Sequence, residues 1–197
     1  MTATASSSVP KTVTYEQYLE EYRCEPPSRQ PYHILDGVVI MSPSPQPIHQ
    51  RITYRLGILL DRFEVTGGIR VLPSPLDVVV RRAPLRTRQP DILVMSEGRL
   101  AEAGGFHATG PIEVAPELVI EVLSPSETRR TIGDKIADFQ AMGVRECWLV
   151  SSEAETVEVL SLTAEEIRTV TIYGRSDVVQ SEVFAAVKLP VSEIFGR

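Results

Sequence analysis

Two acidic residues and one lysine stand where the sequence favours buried structure. Glu121 lies in the middle of Leu118–Leu123, an apolar run with the length and β-branched content of a buried strand. An unpaired carboxylate there is costly unless it stays protonated. Asp91 stands at the entrance of a second apolar strand, and Lys135, one of three lysines in the chain, lies on the helix that follows Glu121. Together the three residues form a candidate metal site.

These residue types suit hydrolysis assisted by a divalent cation. Mg²⁺ takes oxygen ligands, usually one or two carboxylates together with water and a substrate phosphate. Neighbouring strands lie about 4.8 Å apart, so Asp91 and Glu121 on adjacent strands can reach one ion. Lys135 would orient the attacking water or stabilise the charged transition state.

Each of these residues also has an interpretation without catalysis. Glu121 and Lys135 can form a structural ion pair, and Asp91 can be a turn residue after a proline. A further alternative is acid–base hydrolysis by Glu121 with Glu117. These two residues lie on the same strand face but about 13 Å apart along the strand, and no substrate-binding aromatic residues accompany them.

The elements around the three residues are predicted to form a βαβ unit. Residues 118–123 form the first strand, residues 128–142 a helix that ends at Gly143, and residues 147–150 the second strand. The apolar face of the helix consists of Ile132, Ile136, Phe139 and Met142. A crossover of this length favours parallel strands.

The rest of the chain adds helices and antiparallel strands. Thr14 and Gln17 fit a capping box for a helix over residues 14–22, closed by Pro26 and Pro27. Asp36-Gly37 predicts a hairpin. We predict a helix over residues 48–63 and a surface loop over residues 96–110. The remaining expected elements are strands at residues 69–72, 76–80, 90–95, 156–160 and 168–173 and a helical turn at residues 192–195.

Length and composition indicate an ordinary globular chain. Its 197 residues are 43% hydrophobic and 23% charged, which predicts one domain over residues 12–197 after a disordered lead-in at residues 1–11. No apolar run approaches the roughly 18 residues of a membrane span. Cys24 and Cys147 suggest no disulfide framework, so we expect a cytoplasmic protein. The net charge of −6 argues against nonspecific coating of nucleic acid.

Basic residues and histidines supply further candidates. Arg81, Arg82, Arg86 and Arg88 crowd the turn before Asp91. They would either grip DNA phosphates beside a metal or form a solvated charged hairpin that needs no partner. His49, at the start of the long helix, has either a catalytic role or a surface role at the helix end.

Several motifs together resemble a known family. They are PDILVM, APELVIEVLSPS, the helix lysine followed by AMGVRECWLV, and the N-terminal segments TYEQYLEEY and YHILDGVVIMSPSPQPIHQ. This combination, from about residue 12 to residue 195, resembles the Uma-type putative restriction endonuclease family of the PD-(D/E)xK nuclease superfamily. The resemblance implies an α/β fold with a restriction-endonuclease-like mixed sheet and helices packed on it, an N-terminal helix and β-hairpin, and C-terminal antiparallel strands.

The resemblance also implies roles for individual residues. Asp91 is the acid of the PD motif and Glu121 the acid of the following strand, and both would ligate the metal. Lys135 is the lysine that has moved to the helix, because Leu123 occupies the third position of Glu-x-Lys. His49, a further catalytic candidate, and Asp36 also match recurring family positions.

The implied activity is hydrolysis of DNA by a Mg²⁺- or Mn²⁺-dependent endonuclease. A homodimer is expected, because two sites are needed to cut both strands of a duplex. Two positions depart from the family pattern: His33 replaces a glutamate before the hairpin, and Phe139 replaces a tyrosine. The His33 departure motivates the competing hypothesis of a noncatalytic binding or regulatory module with the same fold.

Overall fold

The computed structural model describes residues 12–24, 32–42 and 44–196. The predicted lead-in at residues 1–11 and the proline pair at residues 26 and 27 lie outside these ranges. The helices are α1 (Tyr15–Cys24), α2 (Pro47–Asp61), α3 (Glu64–Gly67), α4 (Glu97–Glu102), α5 (Arg129–Met142) and α6 (Val191–Phe195). In the described ranges, no helix has the length and apolar character needed to cross a membrane.

The strands build one larger sheet and three hairpins. They are β1 (Tyr32–Leu35), β2 (Val38–Met41), β3 (Ile69–Pro73), β4 (Val78–Arg82), β5 (Leu85–Arg88), β6 (Ile92–Ser96), β7 (Leu118–Leu123), β8 (Glu146–Ser151), β9 (Thr156–Leu162), β10 (Ile167–Tyr173), β11 (Val178–Gln180) and β12 (Lys188–Pro190). The six-stranded sheet has the order β10-β9-β8-β7-β6-β3. β7 and β8 are parallel and its other neighbouring pairs are antiparallel, so the sheet is mixed.

Helices cover both faces of this sheet. On one face, Ile120 and Val122 of β7 pack with Leu56 and Leu60 of α2 and with α6. On the other face, Val119 of β7 packs with α5, including the fully buried Phe139. Because side chains alternate along a strand, Glu121 shares the α5 face with Val119. Cys147 is buried within the core on this face.

The predicted N-terminal hairpin is confirmed. Asp36 (φ 55°) and Gly37 (φ 83°) adopt the left-handed conformations that join β1 to β2. Gly37 N donates to Leu85 O at 2.8 Å, and Ile34 N donates to Thr87 Oγ1 at 3.1 Å. The hairpin is therefore fastened to β5 and not to the six-stranded sheet.

Helix capping also follows the sequence. Thr14 and Gln17 exchange backbone and side-chain hydrogen bonds of 3.0 and 3.2 Å at the start of α1. Thr128 caps α5 through Thr131 N. Gly143 (φ 97°) ends α5 in the left-handed region, as its position after Met142 predicts.

Several element boundaries were predicted wrongly. The helix expected over residues 48–63 ends at Asp61, and Gly68 (φ 63°) terminates the separate helix α3. The loop expected over residues 96–110 contains α4, whose first turn is capped by the Ser96 side chain. β5 and the β11–β12 hairpin were not predicted. Each of these elements is only three to six residues long, too short for periodicity to reveal it.

Candidate active site

Asp91 lies immediately before β6, where three parts of the chain meet. Its carboxylate Oδ2 accepts a hydrogen bond of 2.7 Å from Val122 N of β7. Its main-chain carbonyl accepts a 2.9 Å bond from Ser74 N, just after β3. Asp91 is thus fixed by the backbone of two other segments, and its side chain is directed towards β7.

His49, in the first turn of α2, contacts Asp91. Its Nε2 lies 3.1 Å from Asp91 Oδ2, and each side chain is 15% exposed. The hydrogen bond with Asp91 raises the pKa of His49, against the opposing effect of burial. His49 Nδ1 is buried and has no hydrogen-bond partner among the residues that the structure describes.

Glu121 is a buried carboxylate beside Asp91. The pairing of Ile92 with Ile120 places Asp91 and Glu121 next to each other across the β6–β7 pair, and Glu121 is 4% exposed. Burial raises the pKa of Glu121 to about 7, with Lys135 acting to lower this pKa and Asp91 to raise it. The energetic cost of the Glu121 charge is therefore offset mainly by one cation, Lys135.

Lys135, on α5, lies between two carboxylates. Its Nζ is 2.7 Å from Glu121 Oε2 and 2.7 Å from Glu127 Oε1. Burial alone would lower the pKa of Lys135, yet the two glutamates together raise this pKa above its ordinary value. Because helical side chains tilt towards the helix N-terminus, Lys135 reaches back to the turn that precedes α5.

Glu127 is the site residue that sequence reasoning missed. Its Oε2 accepts a 2.9 Å hydrogen bond from Ser124 N, while Glu127 N donates to Ser124 O at 2.9 Å. The signal was present in the sequence, since Ser124 and Glu127 have the Ser-x-x-Glu spacing of a local capping interaction. This turn holds one of the two carboxylates that orient Lys135.

The carboxylate oxygens that these contacts leave without a hydrogen bond are suitable ligands for a hard divalent cation. Asp91 Oδ1 and Glu121 Oε1 accept no hydrogen bond from the described part of the chain. They come from two adjacent like charges, and the burial of two such charges favours a bound cation. Within residues 12–24, 32–42 and 44–196, no three His, Cys, Asp or Glu side chains converge as a metal site. A two-carboxylate set matches Mg²⁺, which keeps several water ligands.

His33, on β1, lies close enough for the charges of this site to affect its pKa. Its Nε2 is 3.1 Å from Ser42 Oγ, whereas Nδ1 is buried without a hydrogen-bond partner among the described residues. Burial, followed by the charges of Arg88 and Lys135, lowers the pKa of His33 to about 4. At neutral pH the side chain is uncharged and supplies no anionic oxygen.

The four arginines of the β4–β5 hairpin are all engaged within the protein. Arg86 and Arg88 each contact Asp138 of α5 at 2.6 Å, and Arg86 also contacts Asp36 at 3.2 Å. The remaining pairs are Arg81 with Asp36 and Arg82 with Glu113. The geometry favours the interpretation of a self-paired charged hairpin, and it assigns Asp36 to that network.

Glu117 is separated from the site. Its carboxylate accepts hydrogen bonds from Ser96 N at 3.1 Å and Ser96 Oγ at 2.7 Å, next to the start of α4. Glu121 instead contacts Lys135. The structure therefore does not bring Glu117 and Glu121 together as an acid–base pair.

The fold and this constellation place the chain in a class, and comparisons with known proteins name its family. The mixed six-stranded sheet with helices on both faces is an α/β fold, and it brings together two adjacent carboxylates and a lysine on the crossover helix. The family model Uma2, described as putative restriction endonuclease, matches residues 15–192. The chain belongs to this family.

A solved structure with the same fold supports the assignment of architecture. The crystal structure described as a putative nuclease belonging to DUF820 from Anabaena variabilis ATCC 29413 has a TM-score of 0.73 and 22% sequence identity. The match covers 94% of this chain and 98% of that chain. No curated protein matches the sequence significantly.

Proposed function

We propose that this protein is a divalent-metal-dependent endonuclease that hydrolyses phosphodiester bonds in DNA. The observation that carries the proposal is the pair of adjacent carboxylates, Asp91 and Glu121, with unbonded oxygens beside the ammonium of Lys135. The family description and the name of the structural neighbour support a nuclease. We also propose that the active form is a homodimer, which supplies two sites for the two strands of a duplex.

The two carboxylates would hold Mg²⁺ or Mn²⁺ through Asp91 Oδ1 and Glu121 Oε1. A bound divalent cation supplies Lewis-acid polarisation of the phosphate and offsets charge that develops during its hydrolysis. His49 donates to Asp91 Oδ2 when protonated, and Val122 N donates to the same atom. These two donors keep Oδ2 occupied and leave Oδ1 as the free ligand atom.

Lys135 would act on the reacting phosphate or water. Its ammonium has three donors, and two of them are directed at Glu121 and Glu127. The third can donate to the attacking water or to a phosphate oxygen that gains charge in the transition state. Glu127 and Glu121 therefore act as positioning groups for Lys135.

The decisive experiment compares cleavage and cation binding in isosteric variants. Asp91→Asn and Glu121→Gln remove charge while keeping an acceptor oxygen at each position. We expect the parent to cut supercoiled and linear DNA only with Mg²⁺ or Mn²⁺, and each variant to lose about 100-fold or more in rate. Calorimetry should show weakened Mn²⁺ binding in both variants, whereas Asp61→Asn, at an exposed position on α2, should match the parent. Undiminished Mn²⁺ binding in both site variants would contradict the proposal.

One observation favours a second candidate, a noncatalytic binding or regulatory module. Glu121 and Lys135 already form a largely buried ion pair, with side chains 5% and 18% exposed, and such a pair can serve the fold alone. The uncharged His33 adds no acidic ligand. If the parent cuts no DNA with any cation, while both site variants melt at lower temperature, the protein is a binding or regulatory module and not a nuclease.

A further inference from the structure

The acidic site needs nearby positive charge to receive a nucleic acid. A phosphate backbone that approaches Asp91, Glu121 and Glu127 meets three carboxylates on a chain of net charge −6. Lys135 is already engaged with two of them. Binding of a polyanion is driven by cations that are free to replace its counterions. The arginines that make no side-chain hydrogen bond or ion pair with a described residue are therefore the informative ones.

Most arginines in the described ranges are already paired. The four of the β4–β5 hairpin contact Asp36, Asp138 or Glu113, as described above. Five others bond to acidic side chains or to main-chain carbonyls, namely Arg55, Arg62, Arg70, Arg99 and Arg175. The exposed arginines without a side-chain hydrogen bond or ion pair to any described residue are Arg51, Arg129, Arg130, Arg145 and Arg168.

Three of these free arginines lie beside the acidic site. Arg129 and Arg130 are the first two residues of α5, directly after the turn whose Glu127 holds Lys135. Arg51 lies near the start of α2, whose His49 contacts Asp91, and points to the solvent side of that helix. Because α2 and α5 pack on opposite faces of the sheet, these arginines lie near the starts of two helices that begin on either side of Asp91 and Glu121.

The other two free arginines lie at the opposite end of the sheet. Arg145 precedes β8, whose first residue Glu146 pairs with Leu118, the first residue of β7. Arg168 pairs with Ser161, which in turn pairs with Glu146. Glu121 is three residues further along β7, about 10 Å away along the strand direction. Arg145 and Arg168 are thus a matched control within the same chain.

We propose that Arg51, Arg129 and Arg130 form a basic rim that binds backbone phosphates of nucleic acid on both sides of the acidic edge. The proposal rests on the nuclease function proposed above and assigns its substrate contacts. The planar guanidinium presents paired donors that match a phosphate group. The self-paired arginines of the β4–β5 hairpin take no part in this contact.

The test measures binding to a short fluorescein-labelled duplex by anisotropy, in EDTA to prevent cleavage, over a series of salt concentrations. The rim variant is Arg51→Gln/Arg129→Gln/Arg130→Gln, and the control is Arg145→Gln/Arg168→Gln. We expect the rim variant to bind about 10-fold or more weakly and its salt slope to fall by about 2 to 3, one phosphate contact per arginine. The control should stay within about twofold of the parent and keep its salt slope.

Two further measurements make every outcome decisive. Thermal melting should match the parent, because the three exposed rim side chains make no hydrogen bond or ion pair with a described residue. In a cleavage assay the rim variant should show a raised KM with kcat nearly unchanged. Equal losses in the rim and control variants, or no loss in either, would overturn the rim while leaving the nuclease proposal intact. A parent that neither binds nor cuts DNA would overturn the proposed function and the rim with it.

Discussion

The charge of Lys135 is determined by its immediate surroundings. Glu121 and Glu127 contact the ammonium from two sides, so Lys135 stays protonated despite its burial. The negative charge of the neighbouring Asp91 makes the ionisation of Glu121 less favourable. A cation between the two carboxylates would relieve this repulsion without displacing the lysine. In the proposed mechanism, Lys135 would therefore affect the rate of reaction separately from metal affinity.

Replacement of Lys135 by methionine separates these two effects. The variant keeps the stem of the side chain and removes its charge. We expect it to fold, to bind Mn²⁺ at least as well as the parent, and to lose about 100-fold or more in cleavage rate, the scale of losing one transition-state donor. Cleavage kinetics and calorimetry measure the two quantities. Lys188→Met, at an exposed position on β12, is the control.

A structural ion pair gives the opposite pattern for Lys135→Met. The melting temperature would fall, and activity would decrease only as far as the folded fraction decreases. That result would mean that Lys135 is not a catalytic residue. It would also remove the main reason to place Glu121 in the active site.

His33 makes the stability of the protein dependent on pH. Its pKa falls from 6.5 to about 4 on folding, first because of burial and then because of Arg88 and Lys135. Between these pH values the unfolded chain binds more protons at His33 than the folded chain does. The free energy of unfolding therefore decreases as the pH falls from about 6.5 to about 4.

The His33→Gln variant should lose this component of the pH dependence. Urea unfolding at about pH 7 and about pH 4.5 gives the stability difference for each protein. We expect the parent to lose about 2 kcal/mol more than His33→Gln over this interval, the order set by the shift in pKa. His107→Gln, in an exposed loop, should retain the parental difference. Identical losses in the parent and His33→Gln would show that His33 carries no such effect.

Helix α5 is attached to the β4–β5 hairpin by a buried charge network. The carboxylate of Asp138, one turn after Lys135, forms ion pairs with Arg86 and Arg88 at 2.6 Å each. Arg88 is 5% exposed and Asp138 is 7% exposed. Because Asp138 lies three residues after Lys135 on the helix, the network holds the neighbouring part of α5 to the hairpin.

Asp138→Asn should destabilise the fold strongly. It leaves the buried Arg88 without a compensating charge, which costs about 3 kcal/mol or more. The urea midpoint, at unchanged slope, measures the loss. Glu102→Gln breaks the exposed pair with Arg99 and should cost less than about 1 kcal/mol. Similar midpoints for the two variants would contradict a structural role for the Asp138 network.

The success of sequence analysis differed between elements for physical reasons. The β7–α5–β8 unit was predictable because its apolar pattern is long and Gly143 marks the helix end. β5, with the sequence Leu-Arg-Thr-Arg, was not predictable, because the half-buried Arg86 and the buried Arg88 resemble surface residues in the sequence. Their partner Asp138 lies on another element and is known only from the structure. The pairing of Asp91 with Glu121 followed from two recognisable strands. The contact of His49 with Asp91 depends on where α2 packs, which the local pattern does not specify.

At the scale of the molecule, strand β2 presents an unusual surface. Among the described residues it pairs only with β1. Its residues Val39, Ile40 and Met41 are 43 to 47% exposed, although consecutive side chains of a strand point to opposite sides. An uncharged, apolar edge strand of this kind readily pairs with another chain. The predicted homodimer could bury it.

Light scattering at micromolar concentration tests the dimer. We expect twice the monomer mass of 21.8 kDa for the parent. Ile40→Glu should shift the population towards the monomer, because it places a charge on both copies of the apolar strand. Ile172→Glu, also exposed but on β10, is the matched control. A parent of monomer mass would contradict the homodimer, and a dimeric Ile40→Glu variant would exclude β2 as its interface.

If the proposed nuclease function holds, the hydrogen bond from Val122 N to Asp91 affects how members of this family would lose activity. Asp91 helps to hold β6 against β7, so selection for folding alone would preserve it after cleavage had ceased to matter. Glu121 and Lys135 form a buried ion pair. Apolar residues of similar volume could replace such a pair at little cost to stability, since Glu127 would keep its hydrogen bond from Ser124 N. In a lineage released from catalysis, the acid of β7 and the lysine of α5 would drift first and together. Under the proposed function, their joint presence, more than that of Asp91, would mark a family member that is still under selection to cleave DNA.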